Sequence, residues 1–116
     1  MELLLFDPVM PHINPFYVDD EIYNGDSVQL NCHVSKGDKP LTIRWSFHGE
    51  ELSSHMGIET TKLGDRSSLL TITSAMAAHT GNYTCTAINR AGTTSYTTAL
   101  HVNGTSPIGR KNAGIS

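Results

Sequence analysis

The chain has 116 residues, of which 38% are hydrophobic and 16% are charged, and its formal net charge at pH 7 is −3. This length suits a single domain, and this balance is typical of globular rather than disordered or fibrous chains. The slightly negative charge argues against nucleic acid as a partner, and no run approaches the ~20 apolar residues of a membrane span. We therefore expect one soluble domain.

The two ends of the chain are expected to lie outside the fold. Residues 1–8 open with the short apolar run MELLLF, which lacks the basic start and the longer apolar core of a signal peptide. We interpret them as a flanking segment or an added start. Residues 103–116 contain Gly, Ser, Asn and Pro without apolar alternation, and we interpret them as a linker or tail. The domain is predicted to span residues 9–102.

Between these ends, hydrophobic residues alternate with polar ones, which is the period of half-buried β-strands. The alternating segments are 28–34, 41–47, 70–72, 83–87 and 98–102. Many of the polar positions are threonine, whose β-branched side chain suits a pleated surface. Turn residues separate the segments, and only Ser74–His79 is expected to form a helical turn. The pattern predicts an all-β sandwich.

The two cysteines, Cys32 and Cys85, fall on inward positions of two different predicted strands. Taken alone, they fit either a structural disulfide or two unrelated buried thiols. Trp45 faces inward between them, and Tyr83, two residues before the second cysteine, occupies the tyrosine-corner position, where the hydroxyl bonds to backbone. This order and phase are typical of the immunoglobulin fold, in which a disulfide joins two antiparallel sheets. The sequence therefore predicts an immunoglobulin-like β-sandwich pinned by one disulfide, which implies an oxidising compartment.

The segment LTITSAMAAHTGNYTCTAINRAG (70–92) resembles the conserved motif of I-set immunoglobulin domains in cell-adhesion proteins. The residues that match that motif include Leu70, Ile72, Tyr83 and Cys85. His79 departs from it, because aspartate is usual at that position. We therefore expect no arginine–aspartate pair at this corner, and no carboxylate partner for Arg66 there.

Three shorter blocks narrow the resemblance, namely VSKGDKPLTIRW (34–45), SLLTI (68–72) and HTGNYTC (79–85). They are similar to the variable immunoglobulin domains of the arthropod Down syndrome cell adhesion molecule (Dscam) family. The resemblance implies homophilic binding, in which like variants pair across cells through an antiparallel two-fold contact. It also implies an extracellular location at the cell surface, neighbouring immunoglobulin domains, and a membrane-anchored parent chain.

In that family the contact uses the face of strands A, B, E and D, in the lettering of the fold. Carried to this sequence, the face comprises the outward residues Gln29, Asn31, His33, Glu59, Thr61, Thr71 and Thr73. A polar, sparsely charged face suits weak and reversible recognition. Two alternatives stay open: a heterophilic receptor or guidance module that binds through its C–F–G face, and a structural spacer within a longer ectodomain.

Motifs for other chemistry are missing from the sequence. It contains no nucleophile elbow, phosphate-binding loop or zinc-protease motif, so we expect neither an enzyme nor a cofactor. The six histidines show no paired metal-binding spacing, and the acidic cluster 19–21 is interpreted as a solvated turn, so no metal site is expected. Asn82-Tyr83-Thr84 and Asn103-Gly104-Thr105 are candidate glycosylation sequons, and Asn82 is expected to point outward.

Overall fold

A computed structural model of the protein describes residues 7–18, 20–52 and 57–104. Within these ranges there are ten strands and a short 3₁₀ turn at Ala77–His79. The strands are β1 His12–Ile13, β2 Ile22–Tyr23, β3 Val28–Lys36, β4 Thr42–Phe47, β5 Glu50–Glu51, β6 Ile58–Leu63, β7 Ser67–Ile72, β8 Gly81–Asn89, β9 Gly92–Leu100 and β10 Val102–Asn103. No helix in the described ranges is long and apolar enough to cross a membrane.

Two four-stranded sheets form the sandwich, in the orders β1-β3-β7-β6 and β5-β4-β8-β9. Neighbouring strands within each of these sheets are antiparallel. We call them the A–B–E–D sheet and the C–F–G sheet after the corresponding strands of the immunoglobulin fold. The predicted all-β immunoglobulin-like sandwich is therefore confirmed.

A short parallel pair, β2–β10, was not expected from the alternation. Val102 pairs with Ile22 and Asn103 with Tyr23, so the chain leaves the C–F–G sheet after Leu100 and continues against β2. The backbone N–H of Asn24 also donates to the carbonyl oxygens of Asn103 and Gly104. Hydrogen-bonded structure thus continues past residue 102, the predicted end of the domain.

The core consists of the inward residues of both sheets. Burial alternates along β3, where Val28, Leu30, Cys32 and Val34 are buried and the residues between them are half or fully exposed. A strand with one dry and one wet face requires this period of two. Each large aliphatic side chain removed from water contributes about 1.5–3 kcal/mol.

The disulfide between Cys32 and Cys85 joins β3 in one sheet to β8 in the other, with the two Cα atoms 6.4 Å apart. Each cysteine also has a paired residue on the neighbouring strand of its own sheet. Ser68 pairs with Cys32 in the first sheet, and Trp45 pairs with Cys85 in the second. The Trp45 indole N–H donates to the Ser68 hydroxyl at 3.0 Å, in the buried interior. Two adjacent links, one covalent and one a hydrogen bond, therefore connect the sheets.

The tyrosine corner closes the end of the sandwich that follows β7. The Tyr83 hydroxyl donates to the His79 carbonyl oxygen at 2.6 Å. His79 is only 1% exposed, and its ring Nδ1 accepts the backbone N–H of Met76 at 3.0 Å. The histidine therefore caps this turn at the position where the I-set pattern has aspartate. The helical turn expected over residues 74–79 is shorter, since only Ala77–His79 is helical.

Arg66 lies at the opposite end of the sandwich from His79. It precedes β7, whereas the 3₁₀ turn follows β7. Its guanidinium donates to the carbonyl oxygens of Val34 at 3.1 Å and Gly37 at 2.7 Å. Arg66 therefore secures the end of β3 rather than pairing with a carboxylate at the tyrosine corner.

Replacement of Ser68 by alanine should destabilise the fold, because it leaves the buried Trp45 N–H without its acceptor. An unsatisfied buried donor costs about 1–3 kcal/mol. Urea unfolding followed by tryptophan fluorescence measures this loss. Ser67→Ala is the matched control, since Ser67 is half-buried on the outer face, where water can replace its hydroxyl. Equal midpoints for the two variants would contradict the proposed importance of the Trp45–Ser68 bond.

Alkaline titration should separate Tyr83 from the surface tyrosines. Burial raises the pKa of Tyr83 to about 12, from the ordinary value of 10.0. The unfolded chain loses this proton at a lower pH than the folded chain does. The contribution of protonated Tyr83 to the free energy of unfolding is therefore complete below about pH 10 and is lost as the pH rises towards 12. Tyrosinate absorbance should show a late step that Tyr83→Phe removes and Tyr17→Phe retains. A late step that survives in Tyr83→Phe would contradict this assignment.

Candidate functional site

The candidate site is the outer face of the A–B–E–D sheet. Strand register places nine outward residues in three rows across β3, β7 and β6. The rows are Gln29–Thr71–Glu59, Asn31–Leu69–Thr61 and His33–Ser67–Leu63. We call these nine residues the B–E–D patch. Neighbouring strands lie about 4.7–4.9 Å apart, so side chains in one row are direct neighbours.

Six of the seven residues predicted for this face lie in the patch. Thr73 is the exception, because it follows the last residue of β7 and is exposed beyond the three rows. The structure therefore places side chains of β3 beside those of β6 and β7, two consecutive strands that lie much later in the sequence. This placement depends on pairing register, because the exposed positions of β6 do not alternate.

The sequence prediction missed three members of the patch: Leu69, Ser67 and Leu63. Leu69 occupies the centre, on the middle row of the middle strand. It lies between the buried residues Ser68 and Leu70 and is half-exposed. The alternation along the strand could have identified Leu69 as an outward residue, because an inward Leu70 requires an outward Leu69. Leu63 ends β6 and is 46% exposed.

The chemistry of the patch is polar with an apolar centre. Glu59 is its one carboxylate, and the imidazole of His33 lies 2.7 Å from the Ser67 hydroxyl through Nδ1. The amides of Gln29 and Asn31 have no side-chain hydrogen bond to any described residue. These exposed amides are therefore available to a partner, each as both donor and acceptor.

The outer face of the C–F–G sheet differs, because its hydroxyl groups pair with one another. The Thr84 hydroxyl lies 2.7 Å from that of Thr97, and the Thr86 hydroxyl lies 3.0 Å from that of Ser95. Cross-strand pairs of this kind stabilise the sheet. They also reduce the hydrogen-bonding capacity that this face can offer to a partner.

An open cleft of about 370 Å³ separates the edges of β4 and β6. Lys62 lines it and is paired in register with the inward residue Ser68, although β6 is an edge strand. A charged side chain on the inner side of an edge strand discourages the addition of another strand. Asp65 also lines the cleft, and Lys39 donates a hydrogen bond to it at 2.9 Å; this bond, with the lysine's charge, lowers the pKa of the Asp65 carboxyl.

The histidines are dispersed over the structure. His12, His48 and His101 are exposed at separate places, and His79 is buried at the tyrosine corner. His55 and Asp19, which belong to the histidine set and the acidic cluster, lie outside the described residues. Across the described part of the chain, no three His, Cys, Asp or Glu side chains are grouped to hold a metal ion.

Comparison with known proteins finds a matching family model and similar sequences. The family model described as an immunoglobulin domain matches residues 11–89. The chain is 40% identical over 94 residues to "Cell adhesion molecule Dscam2" and 41% identical over 97 residues to "Cell adhesion molecule Dscam1", both of Drosophila melanogaster. These alignments cover 81% and 82% of this chain, which spans only 4% and 5% of the two relatives.

Solved structures of Dscam immunoglobulin domains also match this chain. The Dscam1 Ig7 domain, isoform 9, is 41% identical with a TM-score of 0.76, over 81% of this chain and 100% of that one. Isoform 5 of the same domain is 36% identical with a TM-score of 0.77, over 83% and 97%. The N-terminal eight immunoglobulin domains of DSCAM isoform 1.30.30 match at 41% identity and a TM-score of 0.79, over 84% of this chain and 13% of that one.

Proposed function

This chain belongs to the Dscam family of cell adhesion molecules as one of its immunoglobulin domains, and from that premise we propose that it mediates weak, variant-specific homophilic binding through the B–E–D patch. The observation that carries the proposal is the composition of the middle row. Asn31, Leu69 and Thr61 lie side by side, and each can pair with an identical side chain. A face built this way suits a second copy of itself.

An antiparallel two-fold contact determines which side chains of the two copies meet. When two patches meet face to face with the symmetry axis along the middle row, the strands of the two copies run in opposite directions. Side chains on the axis then meet their own counterparts, and the two outer rows exchange. Gln29 faces His33 of the second copy, and Glu59 faces Leu63 of the second copy. The one carboxylate of the patch therefore avoids its own counterpart.

Self-pairing along the axis has a clear chemical basis. An asparagine amide both donates and accepts hydrogen bonds, and so does a threonine hydroxyl, so each can bond to its own copy. Leucine meeting leucine excludes water at the centre, as the apolar core of a small interface does. A charged residue on this row would instead face a like charge. Because each substitution is present in both copies and every off-axis contact occurs twice, small sequence differences discriminate strongly between variants.

Weak binding by one domain is compatible with adhesion. A patch of nine residues lies at the low end of the size range of specific interfaces, where transient contacts are usual. Many copies on two opposed membranes, or several domains in one chain, raise the overall avidity without new contacts. The proposal therefore needs only a modest affinity per domain.

We also propose that the domain works at the cell surface, beside neighbouring immunoglobulin domains of a membrane-anchored parent. The Cys32–Cys85 disulfide supports this location, since such bonds persist in oxidising compartments. The lengths of the relatives support the neighbours, because this chain matches only 4–5% of each cell adhesion molecule.

Asn31→Lys should weaken self-association at least tenfold, because it places two ammonium groups opposite each other at the axis. Like charges brought together at an interface cost several kcal/mol, and about 1.4 kcal/mol already corresponds to a factor of ten in affinity. Analytical ultracentrifugation over a concentration series measures the change. Thr86→Lys introduces the same charge on the C–F–G sheet and should change the dissociation constant less than about threefold.

The opposite order of these two variants would move the contact to the C–F–G sheet and favour a different interface. A wild-type domain that remains monomeric at millimolar concentration would contradict homophilic binding. That result would favour a heterophilic module or a spacer instead.

A further inference from the structure

The asparagines of the two glycosylation sequons lie in different structural settings, whereas Thr105 of the second sequon lies outside the described residues. Asn82 is the second residue of β8 and is exposed. Tyr83 and Cys85 on the same strand face the core, so the Asn82 side chain points away from it. Its cross-strand neighbour on β9 is Ala99, whose small side chain leaves room beside it. The side-chain amide of Asn82 has no hydrogen bond to any described residue, whereas its backbone carbonyl accepts the N–H of His48.

Asn103 is held by the fold at the atom that would be modified. Its side-chain nitrogen Nδ2 donates to the carbonyl oxygen of Ile22 at 3.1 Å, and the residue is half-buried in β10. This bond reinforces the short parallel pair β2–β10. Glycosylated Nδ2 would keep one N–H for this bond, but the sugar that replaces the other hydrogen would have to fit beside the half-buried β2–β10 pair. The folded domain therefore accommodates a glycan at Asn82 and disfavours one at Asn103.

We propose that Asn82 carries an N-linked oligosaccharide and that Asn103 does not. The donor is a lipid-linked oligosaccharide pyrophosphate of the secretory pathway. The bond between the anomeric carbon of the first sugar and the pyrophosphate oxygen breaks, and the lipid pyrophosphate leaves with the electron pair. The Asn82 Nδ2 forms the new bond to that carbon and loses one proton to a base. The asparagine keeps one N–H, and no oxidation or reduction takes place.

The position of this glycan also bears on the two faces of the sandwich. Asn82 lies on the outer face of the C–F–G sheet, in line with Thr84 and Thr86. The B–E–D patch is on the other sheet and faces the opposite direction. A glycan at Asn82 therefore covers part of the C–F–G face and leaves the patch open. This consequence, unlike the modification itself, rests on the proposed function.

Expression of the chain as a secreted protein in cultured animal cells tests the modification. Treatment with a peptide-N-glycosidase should lower the mass of the wild-type protein by a single glycan and convert the carrier asparagine to aspartate. Asn82→Gln and Thr84→Val should lose this shift, whereas Thr84→Ser, which preserves the sequon and the hydroxyl, should retain it. Asn103→Gln is the matched control and should keep the full shift. Absence of the shift in wild type, or its loss in Asn103→Gln, would overturn the proposal.

The same preparation tests the consequence for self-association. The glycosylated and enzymatically deglycosylated proteins should have dissociation constants within about threefold of each other, a difference of less than about 1 kcal/mol. A tenfold or greater change on deglycosylation would contradict a glycan that lies away from the contact. If neither form associates, homophilic binding fails while the mass shift still decides the modification, so the two failures are distinguishable.

Discussion

The Cys32–Cys85 bond and the Trp45–Ser68 hydrogen bond cross the sandwich side by side, and both faces of the domain depend on them. Successive side chains of a strand point to opposite faces, so one fixed inward residue determines the direction of all the others. Cys32 inward makes Asn31 and His33 face outward, and Cys85 inward does the same for Asn82. In the loop-closure model, the disulfide also stabilises the fold by roughly 4 kcal/mol, because it closes the long chain segment between Cys32 and Cys85.

The strands and the disulfide could be predicted because alternation and cysteine phase are local properties of the sequence. The patch was predicted less completely, for a physical reason. β6 is an edge strand whose residues after Ile58 are all exposed, so only its pairing with β7 decides which of them face the patch. Leu69 was missed because two adjacent leucines both resemble core residues, although only one can face inward.

Other differences arise from contacts between distant parts of the chain. The pairing of β10 with β2 joins segments about eighty positions apart, and no alternation within either segment reveals it. His79 replaces the usual aspartate of the I-set motif, yet its ring nitrogen accepts a backbone N–H and caps the corner. Arg66 does not reach the tyrosine corner, since it lies at the other end of β7, where its guanidinium donates to carbonyl oxygens.

The two faces of the sandwich suit different tasks. On the C–F–G sheet, hydroxyls pair within the sheet and an exposed sequon asparagine offers a place for a glycan. On the A–B–E–D sheet, exposed amides surround one apolar side chain, and a middle row of self-complementary groups is flanked by rows that can exchange. Such a surface allows a family of variants to change specificity through a few outward residues while the inward residues keep the fold.

In the antiparallel contact proposed for this face, Gln29 of one copy meets His33 of the other, and exchanging charges at these two positions distinguishes this contact from other arrangements. Two doubly substituted chains differ at one position only: Gln29→Lys with His33→Lys, and Gln29→Glu with His33→Lys. Sedimentation equilibrium should show loss of self-association in the first, where lysines meet twice, and its recovery in the second, where glutamate meets lysine twice. The same affinity for both chains would contradict the antiparallel contact proposed for this face.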